Sequence, residues 1–471
     1  MRHWIGKIHP DANTTKTIVL TGTGITGMTT KRLFGTDGIR GRAFERPLDE
    51  DTVRRLGVAL AEDLTDAFPQ ARILLAGDTR ASTVPIASWL ASSFQARGGK
   101  VIWAGVLPTP AVSQLLDRGD STVGVVISAS HNPAHDNGIK ILGPGGEKLA
   151  DEIERHIEGR VDQVEALSGP ELPDLDLSFG DRYLDFLVGS HEKPEPLAGM
   201  HLVVDAANGA ASGIARRFLE RLGASVTAIA SEPDGRNINA ECGATAPQRL
   251  AAAVVERGAD AGLALDGDAD RAVLVDEAGT VLDGDDILLA WARHLRAHDR
   301  LPGGRVVATV MSNFGLEHRL KSEGMEMIRC PVGDRAVWLA MSENDCALGG
   351  EQSGHIICSH YGVSGDGLLT GSHLLAVAAD RNRPVSALSD LERLPQILLN
   401  VPVARRRPLE DLPSVSRELA ATTASLDDRG RVLLRYSGTE PLARVMVEGE
   451  DADEIEALAE RLAEAIRSEL G

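Results

Sequence analysis

The feature that most constrains this chain is a recurring phrase in which a short apolar run empties into small and polar residues. A-R-I-L-L-A-G-D at 71–78, H-L-V-V-D-A-A-N-G at 201–209, A-G-L-A-L-D-G-D at 261–268 and R-V-V-A-T-V-M-S at 305–312 all have this form. A short apolar run without alternation reads as a strand buried on both faces. Helical stretches lie between the runs. Leu56, Leu60 and Leu64 fall four apart on one helical face. Over 247–257, Pro247 stands near the first turn and Gly258 just past the end. Ile455, Leu458, Leu462 and Ile466 stripe a closing helix. Strand and helix in alternation predict an α/β chain with largely parallel sheets. Such sheets place their chemistry on the loops beyond the carboxyl ends of the strands.

At roughly 150 residues per domain, the length predicts three or four domains. Breaks fall at 169–176 and 193–197, which bracket a linker helix, near Gly284, and near 394–402. A net charge of −20 argues against general nucleic-acid binding and against an anionic membrane surface. No apolar run approaches the ~18 residues of a membrane span, and the N-terminus lacks the pattern of a signal peptide. Cys242, Cys330, Cys346 and Cys358 lack close metal-ligand spacing; reduced thiols and a cytoplasmic location are expected. Gly22, Gly24 and Gly27 match G-x-G-x-x-G, but Gly35 and Gly38 interrupt the helix that should follow. Residues 1–27 read instead as an upstream extension, with Met28 as the natural start.

V-V-I-S-A-S-H-N-P-A-H-D-N-G-I-K, Val125 to Lys140, runs from a buried strand into a turn. Ser130 is there both fixed and reachable, the candidate reactive group. On this segment alone a cap or side-chain turn explains the residues equally well. The loop L-D-G-D-A-D-R adds Asp266, Asp268 and Asp270 at alternate positions, able to converge on one hard cation such as Mg²⁺ or Ca²⁺. Arg271 stands where an EF-hand needs glycine, and the flanks read as strands, so that motif is rejected. A serine and three carboxylates without a zinc motif point to phosphoryl transfer. L-R-Y-S-G-T-E-P-L-A-R offers an anion nest around Ser437, Gly438 and Thr439, with Arg435 and Arg444 at its ends. F-G-T-D-G-I-R-G delivers Arg40 from a Gly-bounded loop, and G-G-E-Q-S-G-H clusters Glu351, Ser353 and His355. No P-loop and no G-x-S-x-G occurs, and a His directly after a Ser is poorly placed to act as its base.

Together these loops resemble the α-D-phosphohexomutase superfamily from about residue 33 to the C-terminus. F-G-T-D-G-I-R-G, A-S-H-N-P with D-N-G-I-K, D-G-D-A-D-R, G-E-Q-S-G-H and R-Y-S-G-T-E-P stand in that family's order. G-E-Q-S-G-H, N-I-N-A-E-C-G at 237–243 and V-G-D-R at 332–335 are most similar to the bacterial phosphoglucosamine mutases. The resemblance implies four domains, three α/β with mixed sheets and a C-terminal α+β domain. They are expected at 28–187 (phosphoserine loop), 188–285 (metal loop), 286–396 (sugar loop) and 397–471 (phosphate loop). It implies phosphoserine at Ser130, and Mg²⁺ held by Ser130, Asp266, Asp268 and Asp270. Glu351 and Ser353 would bind sugar hydroxyls, and Arg435, Ser437, Gly438, Thr439 and Arg444 the phosphate that is not reacting. Arg40 would offset charge on the transferred group, and Lys140 and His355 are the acid/base candidates. Arg271 would tie the metal loop to the sugar, an ion pair within the fold being equally good.

The reaction implied is interconversion of glucosamine 6-phosphate and glucosamine 1-phosphate through a 1,6-bisphosphate. The alternatives are a phosphoglucomutase or phosphomannomutase of the same fold and a catalytically silent sugar-phosphate-binding protein. The partner expected is a hexosamine phosphate, with no nucleic acid and no membrane; a homodimer is admitted. Three departures bear on the sugar: Gly77 where an arginine is common, Ala336 in place of an aromatic, and A-T-A-P at 244–247 without a histidine. Loop 349–355 and segment 237–247 are expected to choose the sugar.

Overall fold

The computed structural model describes residues 18–20, 33–35, 37–67, 71–117, 122–437 and 441–471, and their side chains except at 18–20, 65–67 and 117. They gather into two compact units. One comprises 33–311 and 324–390; the other comprises 18–20, 312–323 and 391–471.

The first described element, β1 (Ile18–Leu20), belongs to the second unit. The first unit opens with β2 (Ile39–Arg42), α1 (Glu50–Ala67), β3 (Arg72–Gly77), α2 (Thr83–Ala96) and β4 (Lys100–Val106). It continues with α3 (Thr109–Asp117), β5 (Val123–Ile127), β6 (Asp136–Leu142) and α4 (Asp151–Val161). These strands form a sheet in the order β2-β6-β5-β3-β4. Strand β3 runs parallel to β4 and β5, while β6 is antiparallel to β5 and β2. Leu56, Leu60 and Leu64 of α1 are buried in one cluster with Ile73, Leu75, Val123, Val125 and Ile127 of the sheet. Each such side chain contributes about 1.5–3 kcal/mol by leaving water.

Helix α5 (Ser178–Gly189) is the expected linker helix. A second sheet follows, built from β7 (His201–Asp205), α6 (Ala215–Arg221), β8 (Ser225–Ile229), α7 (Gln248–Arg257), β9 (Ala261–Leu265), β10 (Ala272–Asp276) and β11 (Val281–Leu282). Its order is β11-β10-β9-β7-β8. Helix α7 starts after Pro247 and ends on Gly258 at φ 58°, where its last turn needs a left-handed residue. Then come α8 (Gly284–Ala297), β12 (Arg305–Thr309), α9 (Phe314–Ser322, part of the second unit), β13 (Glu326–Cys330), α10 (Asp334–Glu343), β14 (Leu348–Gly350), β15 (Ile356–Cys358) and α11 (Gly367–Asp380). The third sheet has the order β13-β12-β14-β15.

With the edge strands β2 and β11 set aside, each of these sheets repeats one order, second-first-third-fourth, and carries an antiparallel hairpin of its third and fourth strands. The largely parallel sheets expected from the apolar runs are therefore mixed. An apolar run says that a strand is buried but not which way its neighbour runs. Residues 128–135 between β5 and β6 are too few for a parallel crossover, which takes a dozen or more. Each hairpin connection carries one of the chemistry-bearing loops: 128–135, 266–271 and 351–355.

The second unit adds β16 (Gln396–Pro402), α12 (Pro413–Leu426), β17 (Gly430–Tyr436), β18 (Leu442–Gly449) and α13 (Ala452–Leu470). Its sheet, β1-β17-β18-β16, is antiparallel except where β1 lies parallel to β17. The stripe Ile455, Leu458, Leu462 and Ile466 packs into its core. The break expected near 394–402 is strand β16. Arg40, expected on a loop, lies on strand β2, paired with Gly138. All four cysteines are free and buried. No helix among the described residues is long and apolar enough to cross a membrane.

Candidate active site

Ser130 sits just past the end of β5, 1% exposed, in a left-handed turn at φ 52°. A non-glycine residue holds that conformation only where its surroundings impose it. Its amide donates to Ser128 Oγ at 2.9 Å, and Ser128 Oγ donates to Asp78 Oδ2 at 2.6 Å. The Ser130 hydroxyl donates to Asp266 Oδ2 at 2.6 Å and lies 3.3 Å from His131 Nδ1. The adjacent histidine, set aside on sequence grounds, is thus within reach of the serine oxygen. Left-handed backbone at Ser130 turns the two neighbouring side chains toward each other.

The metal loop joins antiparallel β9 and β10 and curls through Ala269, at φ 57°. Asp266, Asp268 and Asp270 are buried, with one carboxylate oxygen from each within 4.8 Å of the others. Lys140 Nζ, on β6, lies 2.8 Å from Asp268 Oδ2 and 3.3 Å from both Asp270 Oδ2 and Asp37 Oδ2. Thr109 Oγ1 donates to Asp268 Oδ2 at 2.5 Å. The remaining oxygens, Asp268 Oδ1 and Asp270 Oδ1, are buried and accept no hydrogen bond among the described residues. Two orphaned hard oxygens beside a third carboxylate and a serine hydroxyl fit a divalent cation such as Mg²⁺.

The electrostatics divide the cluster. Burial, then Asp270 and Asp268, push Asp266 well above the usual carboxylate range. Burial also pushes Asp270 up, but Lys140 and His355 outweigh it and hold it well below that range. Burial pulls Lys140 down, yet Asp268, Asp37 and Asp270 raise it well above the lysine value. His355 is raised to about 9: burial opposes the charge and Asp270, 3.6 Å away, more than restores it. His131 falls to about 4 through burial and the nearby Arg271 and Arg40.

These groups face a cavity of about 410 Å³ whose lining includes Arg40, Ser130, Asp270, Arg271, Glu351 and His355. Arg271 Nε lies 4.0 Å from Asp266 and 3.9 Å from Asp270, so it holds both an ion pair and a place in the wall. Glu351 Oε1 accepts the Gly333 amide at 3.0 Å, while Ser353 is exposed and does not line the cavity. The sugar loop is brought together only in part. Asp37 and Asp334 also line the cavity, bridged by Lys148. Sequence reasoning missed all three; the two aspartates had a signal in their place within G-T-D-G and V-G-D-R, and Lys148 had none. At Gly77, the departure from the common arginine, a Cβ would fall 2.4 Å from Thr83 Cγ2 and 2.7 Å from the Ile127 carbonyl, so this backbone excludes the larger residue.

In the second unit, Arg435 and Arg444 stand opposite each other across β17 and β18. Burial and Arg444 lower the Arg435 pKa. Two guanidiniums side by side on adjacent strands repel, a cost that a bound anion removes. Ser437 follows, its carbonyl taken by Arg406 at 2.6 Å. Gly438 and Thr439 lie outside the described residues.

Four domain models of the phosphoglucomutase/phosphomannomutase type match the chain. Alpha/beta/alpha domain I matches at 31–168, domain II at 181–279, domain III at 283–394 and the C-terminal domain at 398–465. A phosphoglucosamine mutase of Chelativorans sp. (strain BNC1) is 43% identical over 93% of this chain and 98% of its own. One of Thermobifida fusca (strain YX) is 46% identical over 93% and 99%. This chain belongs to the phosphoglucosamine mutase family. Phosphoglucosamine mutases are phosphohexomutases, isomerases that move a phosphoryl group, and the chain is an enzyme of that class. The fold agrees with solved structures. A phosphoglucomutase/phosphomannomutase family protein from Burkholderia thailandensis superposes with a TM-score of 0.77 at 23% identity, covering 94% of this chain and 98% of that one. An Aspergillus fumigatus N-acetylphosphoglucosamine mutase, solved with GlcNAc-6P and magnesium, gives 0.59 at 18% identity, covering 93% and 95%.

Proposed function

We propose that the chain interconverts glucosamine 6-phosphate and glucosamine 1-phosphate, with Ser130 as phosphoryl carrier. The observation that carries this is the 2.6 Å contact of Ser130 Oγ with Asp266, inside a buried carboxylate triad that borders the cavity. Ser130 would be carried as phosphoserine. In the forward step the Oγ–phosphorus bond breaks and a bond to the free C1 oxygen of glucosamine 6-phosphate forms. The product is a sugar 1,6-bisphosphate, and the C1 hydroxyl proton is taken up as the serine oxygen regains one. After the bisphosphate turns over, its 6-phosphoryl returns to Ser130 and glucosamine 1-phosphate leaves.

Asp266, Asp268, Asp270 and the serine oxygen would hold Mg²⁺, which when bound supplies neutralisation of the charge on the transferred group. Arg40, on the cavity wall, adds a fixed cation aimed at the same charge. Lys140 Nζ and the His355 ring hold the protons that the two half-reactions exchange. Both reach Asp270, and His355 also lines the cavity. Glu351, on the cavity wall, would bind sugar hydroxyls, with Arg271 linking it to the metal loop. Arg435, Ser437, Gly438, Thr439 and Arg444 would hold the distal phosphate. We read the domains at 28–187, 188–285, 286–396 and 397–471, supported by the four matched stretches. Four free thiols support a reducing, cytoplasmic setting.

The test is a coupled assay on the 6-phosphates of glucosamine, glucose and mannose. Glucosamine 6-phosphate is expected to give the highest kcat/KM, and a higher value on either other sugar overturns the assignment. Intact mass of the purified protein should show about 80 Da on Ser130, the weight of a phosphoryl group.

A further inference from the structure

Segment N-I-N-A-E-C-G, expected to help choose the sugar, lies behind the serine. None of residues 237–247 lines the cavity. Instead, Asn239 Nδ2 donates to the Ser130 carbonyl at 2.8 Å and to the Asn132 carbonyl at 3.1 Å. Both acceptors are carbonyl oxygens, so the amide nitrogen must face them, and this fixes the amide's orientation. Its Oδ1 is buried and has no hydrogen-bond partner among the described residues, so the two carbonyls are the side chain's hydrogen-bond partners there. The backbone holding it is fixed as well: Asn239 sits at φ 56° with its amide on the Ala207 carbonyl at 2.9 Å.

The same two carbonyls are also held by Arg80. Its guanidinium donates to the Ser130 carbonyl at 3.0 Å, the Asn132 carbonyl at 2.8 Å, the Asp136 carbonyl at 3.0 Å and the Pro133 carbonyl. Its Nε is anchored on Asp78 Oδ2 at 2.9 Å, with both side chains fully buried. A third wall is Gly267 of the metal loop, where a Cβ would fall 2.4 Å from the Ser130 carbonyl and 2.8 Å from Asn239 Nδ2. One carbonyl oxygen is thus seized by donors from the first sheet's loop and the second sheet's loop at once. That carbonyl belongs to the strained residue whose Oγ must meet the metal carboxylates.

We propose that Asn239, acting with Arg80, is a positioning residue of the phosphoryl-carrying serine, and that N-I-N-A-E-C-G serves the reacting serine and not the choice of sugar. The inference rests on Ser130 being the phosphoryl carrier. Asn239 touches neither sugar nor phosphate; it sets where the serine oxygen stands relative to Asp266.

Asn239→Gly tests it, because glycine keeps the left-handed backbone and removes only the amide. Misplacement of a reacting atom by an ångström costs on the order of 100-fold, so kcat should fall about 10- to 100-fold. KM for glucosamine 6-phosphate should stay within about two-fold, as should the ratio of kcat/KM for glucosamine 6-phosphate over glucose 6-phosphate, since no sugar contact changes. In single turnover with a hexose 1,6-bisphosphate, the gain of about 80 Da at Ser130 should slow in parallel. Asn239→Asp keeps the size but sets an acceptor against two carbonyl oxygens, and should lose at least as much. Unchanged kcat in both variants overturns the proposal, and so does a shifted sugar ratio with kcat retained. If wild-type enzyme neither turns over nor gains mass at Ser130, the reading of the serine itself falls, before any variant is needed.

Discussion

At the scale of single residues, the site depends on close approach as much as on charge. Gly267→Ala would push a methyl group against the Ser130 carbonyl, so kcat should drop roughly 10-fold or more, and the melting temperature should fall as the backbone gives way. Asp268→Asn should cut kcat by orders of magnitude, because it weakens a carboxylate with one oxygen on Lys140 and Thr109 and the other without a partner among the described residues. Near-full activity in that variant, measured by the coupled assay, would dismiss the triad as a metal site. These residues were legible to different degrees. Ser130 and the three aspartates show in the sequence because each loop is bounded by apolar strands and carries unusual polar density. Asp37, Lys148, Arg80 and Asn239 were illegible as working residues, since each acts on a group 50 or more positions away in the chain. Nothing local marks an arginine that spends its donors on backbone carbonyls.

At the scale of elements, α11 meets the end of α5 in a stack of histidines. The rings of His191 and His373 lie 4.2 Å apart and nearly parallel, beside Trp291 and Tyr361. Ser372 Oγ meets His191 Nε2 at 3.1 Å, and Ser190 Oγ meets His373 Nε2 at 3.0 Å. Burial lowers His191 to about 4. Burial, then His191, His294 and Arg300, lower His373 well below the usual histidine value. Both rings are therefore neutral when folded, whereas the unfolded chain takes up protons below pH 6.5. The first unit should lose stability as pH falls from about 7 to 5, and replacing both rings with phenylalanine should flatten that slope in melting curves. In the second unit, Glu448 is fully buried against Arg431. Arg431→Met should destabilise the unit by about 3–5 kcal/mol in denaturant titrations, the cost of removing the cation beside a buried carboxylate.

At the scale of the whole molecule, three sheets share one strand order, and each places its working loop at the same connection. No repeat shows in the sequence, because the connections at 128–135, 266–271 and 351–355 differ in length and chemistry. The apolar runs that carry the shared topology specify burial rather than identity. Stripping divalent cations with a chelator should abolish turnover, and excess Mg²⁺ should restore it. The buried thiols bear on how the protein can be handled. Burial holds Cys242 and Cys346 at about 11, and Cys330 and Cys358 at about 12. At neutral pH almost none of the four is thiolate, the only form that alkylates readily. A cysteine introduced at Val332, half exposed on the cavity rim, should therefore react alone with a maleimide dye. The native chain is in effect already cysteine-silent, ready for a single fluorescent reporter of substrate entry.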